Sequence, residues 1–287
     1  METLVRRLQK PKKLYSLEKA IDLRVPVVQA CLGPCDGPKL AAAVSRAGAL
    51  GTLTIRSPEE VSHRRRLERL RRLTNLPVLL AFTAEYERET VLLDSLAAGH
   101  RHFQVFWWNG PRLARRIRAA GGTVFWQVGD LDQARDAING GADILVAQGT
   151  AAGGPVRSPH PIRDLVEIIH DLSGATPLPI VAGGGFGDRE DVAQALSWGA
   201  SAALMGTRFL LTDESNAPLR DKKRLLRQSV ADLVLDKRLI GDWPCAPRRH
   251  LSLPSDEDRS SLYAGRGLDR IKSILPAGEA VRLLLPK

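Results

Sequence analysis

Between residues 25 and 206, short apolar runs alternate eight times with longer amphipathic stretches, and few architectures accept that order. The runs are VPVVQA (25–30), LGTLTI (50–55), PVLLAF (77–82), HFQVFW (102–107), TVFWQV (123–128), DILVAQ (143–148), PIVAG (179–183) and AALMG (202–206). Each is mostly apolar at consecutive positions, as expected of parallel strands covered on both faces. The stretches between them carry helix limits. In PKLAAAVSRAGAL, Pro38 suits a first turn, Leu40, Ala43 and Val44 share a face, and Gly48 can terminate. In DLDQARDAINGGAD, Asp130 or Asp132 can cap, and Gly140 with Gly141 can close; Gly199 ends GDREDVAQALSWGAS. Eight strand–helix units predict an α/β fold, a (β/α)8 TIM barrel over residues 21–211. An approach segment (1–20) precedes it, and a C-terminal helical extension (212–287) is expected to pack on it.

Composition narrows the class further. A chain of 287 residues falls in the range where such a barrel forms one domain. No apolar run approaches the roughly 18–20 residues that a membrane span needs, and METLVRRLQKPKKLYSLEKA has no apolar signal region, so a cytoplasmic protein without a membrane partner is expected. Cys31, Cys35 and Cys245 are too few for a disulfide framework, and no second ligand pair stands near the first two, so no metal is expected. The net charge of +10 and the stretch HRRRLERLRR (63–72) raise a nucleic-acid reading. Basic residues recur on several helices without interleaved aromatics, which favours a solvated outer face and no nucleic-acid partner. The charge can still steer an anionic small-molecule substrate.

In a barrel of this kind the chemistry gathers in loops at the carboxyl ends of the strands. These are CLGPCDG, WNGP, GTAAGGPVRSPHP, GGFGD and TRF. Gly183, Gly184 and Gly185 allow backbone amides to approach an anion without Cβ obstruction; Gly206 and Thr207 add a second turn and a hydroxyl. Two adjacent helix starts with a threonine suit a phosphate, against the plainer reading of tight turns. Gln148 carries donor and acceptor, and Gly153 with Gly154 leaves room for a flat ring. Trp107, Trp108 and Trp126 are stacking surface or core. His160 and Arg157 are the side chains in the sixth loop able to exchange a proton or hold an anion; both also fit an exposed loop.

Five stretches resemble the nitronate monooxygenase (2-nitropropane dioxygenase) family, which is itself similar to the flavin-dependent enoyl-acyl-carrier-protein reductases. They are VVQACLGPCDGPKLAAAVSRAGALGTL, GGADILVAQGTAAGG, PLPIVAGGGFGDREDVAQALSWGA, ALMGTRFLLTDES and YAGRGLDRIKSILPAGEAVRLLL. The resemblance implies non-covalent FMN, with its phosphate at Gly184, Gly185, Gly206 and Thr207. It places the ring near Ala30, Cys31, Leu32, Gln127, Gln148, Gly153 and Gly154. Departures are equally plain. Ala151 and Pro155 stand where the family has a glutamate and the acid/base histidine; Cys31 and Leu32 replace a proline–methionine pair, Ala81 an asparagine, and Arg266 a common glutamine. A guanidinium at 266 can contact phosphate or simply face solvent.

The function that follows is FMN-dependent oxidation of a nitronate or related small substrate with O2. Flavin supplies hydride and one-electron chemistry itself, so one lost acid/base group need not end redox function. Two alternatives stand beside it: a flavin reductase using NAD(P)H on an enoyl thioester or quinone, and a noncatalytic FMN-binding partner. A homodimer is an open expectation.

Overall fold

The computed structural model describes residues 17, 21, 23–55, 60–82, 89–106, 110–172, 178–237, 246–252 and 262–286. Trp107, Trp108, Cys245 and all of the approach segment except Leu17 lie outside these residues.

The eight runs form eight parallel strands: β1 (Val27–Gln29), β2 (Gly51–Ile55), β3 (Val78–Phe82), β4 (His102–Phe106), β5 (Thr123–Val128), β6 (Ile144–Gln148), β8 (Ile180–Gly183) and β9 (Ala202–Met205). A two-residue strand, β7 (Gly154–Pro155), interrupts the series after β6. Neighbours in the sheet run β1-β9-β8-β6-β5-β4-β3-β2. Closure between β1 and β2 uses a single parallel bridge, Val28 with Leu50, reinforced by side chains. Gln29 donates from Nε2 to the Thr52 carbonyl at 2.9 Å and accepts the Thr52 amide at 3.2 Å, while the Thr52 hydroxyl donates to the Gln29 carbonyl.

Between the strands run α1 (Pro38–Arg46), α2 (Glu60–Leu73), α3 (Glu89–Ala97), α4 (Gly110–Ala119), α5 (Leu131–Gly140), α6 (Ile162–Leu172), α7 (Arg189–Ser197) and the single-turn α8 (Thr207–Leu210). The sequence limits are realised locally. Asp130 caps α5 through the Gln133 amide at 2.8 Å, and Gly141 ends it at φ 93°, a left-handed conformation that glycine adopts without steric cost.

Two apolar layers follow from the strand pattern. Val28, Leu50, Leu79, Phe125, Ile144, Val146, Val181 and Ala202 fill the barrel interior, with Leu17, Ile21 and Leu23 packed against them. The opposite strand faces pack on the helices. Trp126 belongs to this outer layer: side chains at Gly110 and Gly140, on α4 and α5, would overlap its indole. Of the two readings of Trp126, core packing is the one realised, because alternation along β5 turns it away from the interior that Phe125 fills.

The C-terminal extension holds α9 (Leu219–Leu226) and α10 (Ala277–Leu283), and also an antiparallel pair, β10 (Leu233–Asp236) and β11 (Arg248–Leu251). Strand β11 pairs in turn with β7, setting Arg248 opposite Pro155 and Arg249 opposite Gly154. The extension thereby clasps the loop that follows β6.

Candidate active site

Side chains two residues apart on a strand face the same side. Counting two on from the inward Val28, Leu79, Phe125, Val146, Val181 and Leu204 gives Ala30, Ala81, Gln127, Gln148, Gly183 and Gly206, which ring the barrel mouth. Beneath this ring Gln104 donates from Nε2 to Gln127 Oε1 at 2.9 Å. That bond occupies an acceptor of Gln127 and leaves its NH2 group to donate elsewhere. Ala81, Phe106 and Cys31 form a small apolar cluster on one side.

Cys31 and Leu32 are held by a residue the sequence reading passed over, Asp36. Its carboxylate accepts the Leu32 and Thr54 amides at 3.0 Å each and the Thr54 hydroxyl, with Arg66 Nη2 at 3.6 Å. Burial pushes the Asp36 carboxyl upward, against the pull of those donors and of Arg66. Cys31 Sγ lies 3.0 Å from Thr54 Oγ1. A hydroxyl has one proton, and Thr54 gives it to Asp36, so in this arrangement sulfur is the donor.

The anion site is made by loops. Gly184 and Gly185 have φ of 149° and 89°, in the region that favours glycine. Among the described residues, the amides of Gly184, Gly185 and Gly206 enter no backbone hydrogen bond outside the regular elements. Thr207 Oγ1 accepts the Gly265 amide at 3.0 Å, which leaves its own proton to donate outward. One part of the expectation is corrected here: α7 does not offer a free helix start. Asp188 and Asp191 form a capping box, with Asp188 accepting the Asp191 amide at 3.0 Å and Asp191 accepting the Gly187 amide at 2.6 Å.

The loop after β6 is held on three sides. Gln148 Nε2 donates to the Pro155 carbonyl at 2.9 Å, which fixes the orientation of its amide, since a carbonyl can only accept. Among the described residues, the buried Gln148 Oε1 has no hydrogen-bond partner. From β11, the buried guanidinium of Arg249 donates through Nη1 to the carbonyls of Thr150 and, at 2.8 Å, Ala152. Below, Tyr263–Gly267 runs against the same loop: the Arg266 amide bonds Ala151 O at 2.9 Å, and a Cβ at Gly153 would stand 2.5 Å from the Ala264 carbonyl carbon. Farther along, Arg157 and His160 are half-buried, and the His160 carbonyl accepts the Thr150 amide at 2.9 Å. Thus Gln148, Gly153, Gly154, Gly184, Gly185, Gly206 and Thr207 converge on one mouth with Ala30–Leu32 and Gln127. His160 is tied to it by backbone.

This donor set fits FMN. Unpaired amides and a hydroxyl suit a phosphate, glycine-lined backbone suits a flat ring, and the buried Gln148 oxygen needs an N–H that a flavin ring carries. Arg249 and Gln104 escaped the sequence reading along with Asp36. Only the buried-polar character of Gln104 within an apolar run hinted at a role.

Residues 106–243 match the family model for nitronate monooxygenase. Over that region, just under half of its length, the chain is similar to the nitronate monooxygenase family. It is 32% identical to a nitronate monooxygenase of Neurospora crassa over 210 residues, covering 60% of this chain and 56% of the relative. It is 28% identical over 236 residues to a Rhodococcus jostii 5-hydroxy-7a-methyl-1-oxo-octahydro-1H-indene-4-carboxyl-CoA dehydrogenase, covering 79% of this chain and 63% of the relative. In both cases the match spans less than two-thirds of the relative's length. The fold aligns with FabK from Thermotoga maritima at a TM-score of 0.82 and 22% identity, over 93% of this chain and 94% of that one. Among the described residues no helix is long and apolar enough to cross a membrane.

Proposed function

We propose that the protein is an FMN-dependent oxidoreductase that oxidises a nitronate or related small anionic substrate with O2, with Pro155 in place of the usual histidine. The observation that carries this reading is the pairing of an intact cradle with a stripped sixth loop. Unpaired glycine amides, Thr207 and the unpartnered Gln148 oxygen remain, while Ala151 and Pro155 offer no proton-transfer group. Bound FMN supplies the electron chemistry. The protein's own residues would bind and orient: Gly184, Gly185, Gly206 and Thr207 would hold the phosphate, Gln148 and Gln127 would offer amides to the ring, and Arg157 or His160 would meet the substrate.

A nitronate already carries its negative charge and needs no deprotonation by the protein, whereas a neutral nitroalkane does. Turnover of the nitronate is therefore expected to exceed that of the parent nitroalkane at neutral pH. Steady-state oxygen consumption with each form checks this, and equal rates would count against the reading. Before that, purified protein is mixed with FMN, desalted and scanned in the visible. Flavin absorbance should remain.

A second reading, a dehydrogenase or reductase acting on an acyl-CoA-type thioester, draws on the Rhodococcus relative and on Arg157 and Arg248 at the clasp and the loop beside it. Guanidinium groups suit the phosphates of such a substrate. Anaerobic bleaching of the bound flavin by NADH or NADPH would favour it, and a flavin left oxidised by both would count against it.

A further inference from the structure

We infer that Arg266 is the charge with which this protein recognises the flavin's phosphate, so that the site selects the phosphorylated flavin over riboflavin; this rests on the FMN reading above. Two arginines stand four residues apart on the segment that underlies the cradle, and they have opposite circumstances. Arg270 is neutralised, with Nη1 3.0 Å from Asp191 and Nε 3.7 Å from Asp188. Arg266 is exposed, and among the described residues no carboxylate lies against it.

Its position is fixed by backbone. The Arg266 amide bonds Ala151 O at 2.9 Å, the preceding Gly265 amide bonds Thr207 Oγ1 at 3.0 Å, and the following Gly267 is pressed against Gly185 and Phe186. The Arg266 Cβ lies 3.6 Å from where a Cβ at Gly185 would be, so the side chain leaves the backbone beside the unpaired Gly184 and Gly185 amides. A second guanidinium stands nearby: burial, with the charge of Arg266 adding to it, disfavours the charged form of Arg249, whose guanidinium is committed to two carbonyls of the sixth loop. An unneutralised guanidinium beside the amide donors of Gly184 and Gly185 and a second cation suits a dianion. The sugar-like chain and ring of a flavin lacking phosphate offer it nothing.

The test is a pair of dissociation constants, for FMN and for riboflavin, measured by flavin fluorescence with the wild type, Arg266→Gln and Arg266→Lys. Arg266→Gln is expected to weaken FMN about tenfold and leave riboflavin unchanged, with Arg266→Lys recovering part of the loss. The FMN preference of the wild type should also shrink as salt rises. Equal weakening of both flavins by Arg266→Gln would make the residue a prop for the loop and overturn the inference, as would no change in either. A wild type that binds both flavins equally overturns the inference alone. One that binds neither removes the cofactor reading with it.

Discussion

Gly153 shows how little room a single position leaves. A Cβ there would meet the Ala264 carbonyl carbon at 2.5 Å and the Gly265 nitrogen at 2.7 Å, both backbone atoms that no rotamer change can move. Gly153→Ala should therefore displace the Tyr263–Gly267 segment, loosen the Gly265–Thr207 bond and cost about 1–3 kcal/mol. A thermal melt and a flavin titration check this; an unchanged Tm with unchanged FMN affinity would show that the segment is not pressed on the loop. Residues whose role depends on local geometry were legible in the sequence: glycine pairs at strand ends, Gln148 as the last residue of an apolar run, Asp130 before a helix. Residues whose partners lie far along the chain were not. Arg249 bonds carbonyls 99 and 97 positions away, and nothing in RRHL separates it from a surface arginine. Asp36 reads as a turn residue in CDGP, yet it holds Leu32 and Thr54 together across the first unit.

The clasp made by β7, β11 and β10 is the element on which the sixth loop depends. Eight barrel strands announce themselves because parallel strands buried on both faces must be apolar throughout, whereas LVLD and RRHL satisfy no such demand. Their pairing is set by tertiary contacts and so could not be read from pattern. Arg249→Met keeps the length and removes the donors, leaving the Thr150 and Ala152 carbonyls without their guanidinium partner. The expected result is faster amide exchange through residues 149–154, a destabilisation of about 1–3 kcal/mol and weaker flavin binding. If exchange in that loop is unchanged while Tm falls, the arginine braces the extension and not the site.

At the scale of the whole barrel, acid is the condition expected to expose its weak side. Burial, with the nearby charges of His63, His102 and Arg101 adding to it, lowers the pKa of His100 to about 4, and burial does the same to His102; His63 is also lowered. Unfolded imidazoles take protons near 6.5, so as pH falls the unfolded chain binds them first. Stability present above pH 6.5 is thus lost towards pH 4. Asp36 and Asp191 act in the opposite sense, since burial raises both carboxyls, but among the described residues they are two groups against three. Tm should fall through this range, and His102→Asn should flatten the decline; parallel curves for both proteins would show that acid acts elsewhere. The Tyr263–Gly267 segment has a further consequence, one of timing. A ribosome releases all eight strands before residue 263 emerges, so a nascent chain can close its barrel while one wall of the cofactor site has yet to be synthesised. Under the proposed reading, flavin capture is then expected late, once the tail has arrived and docked.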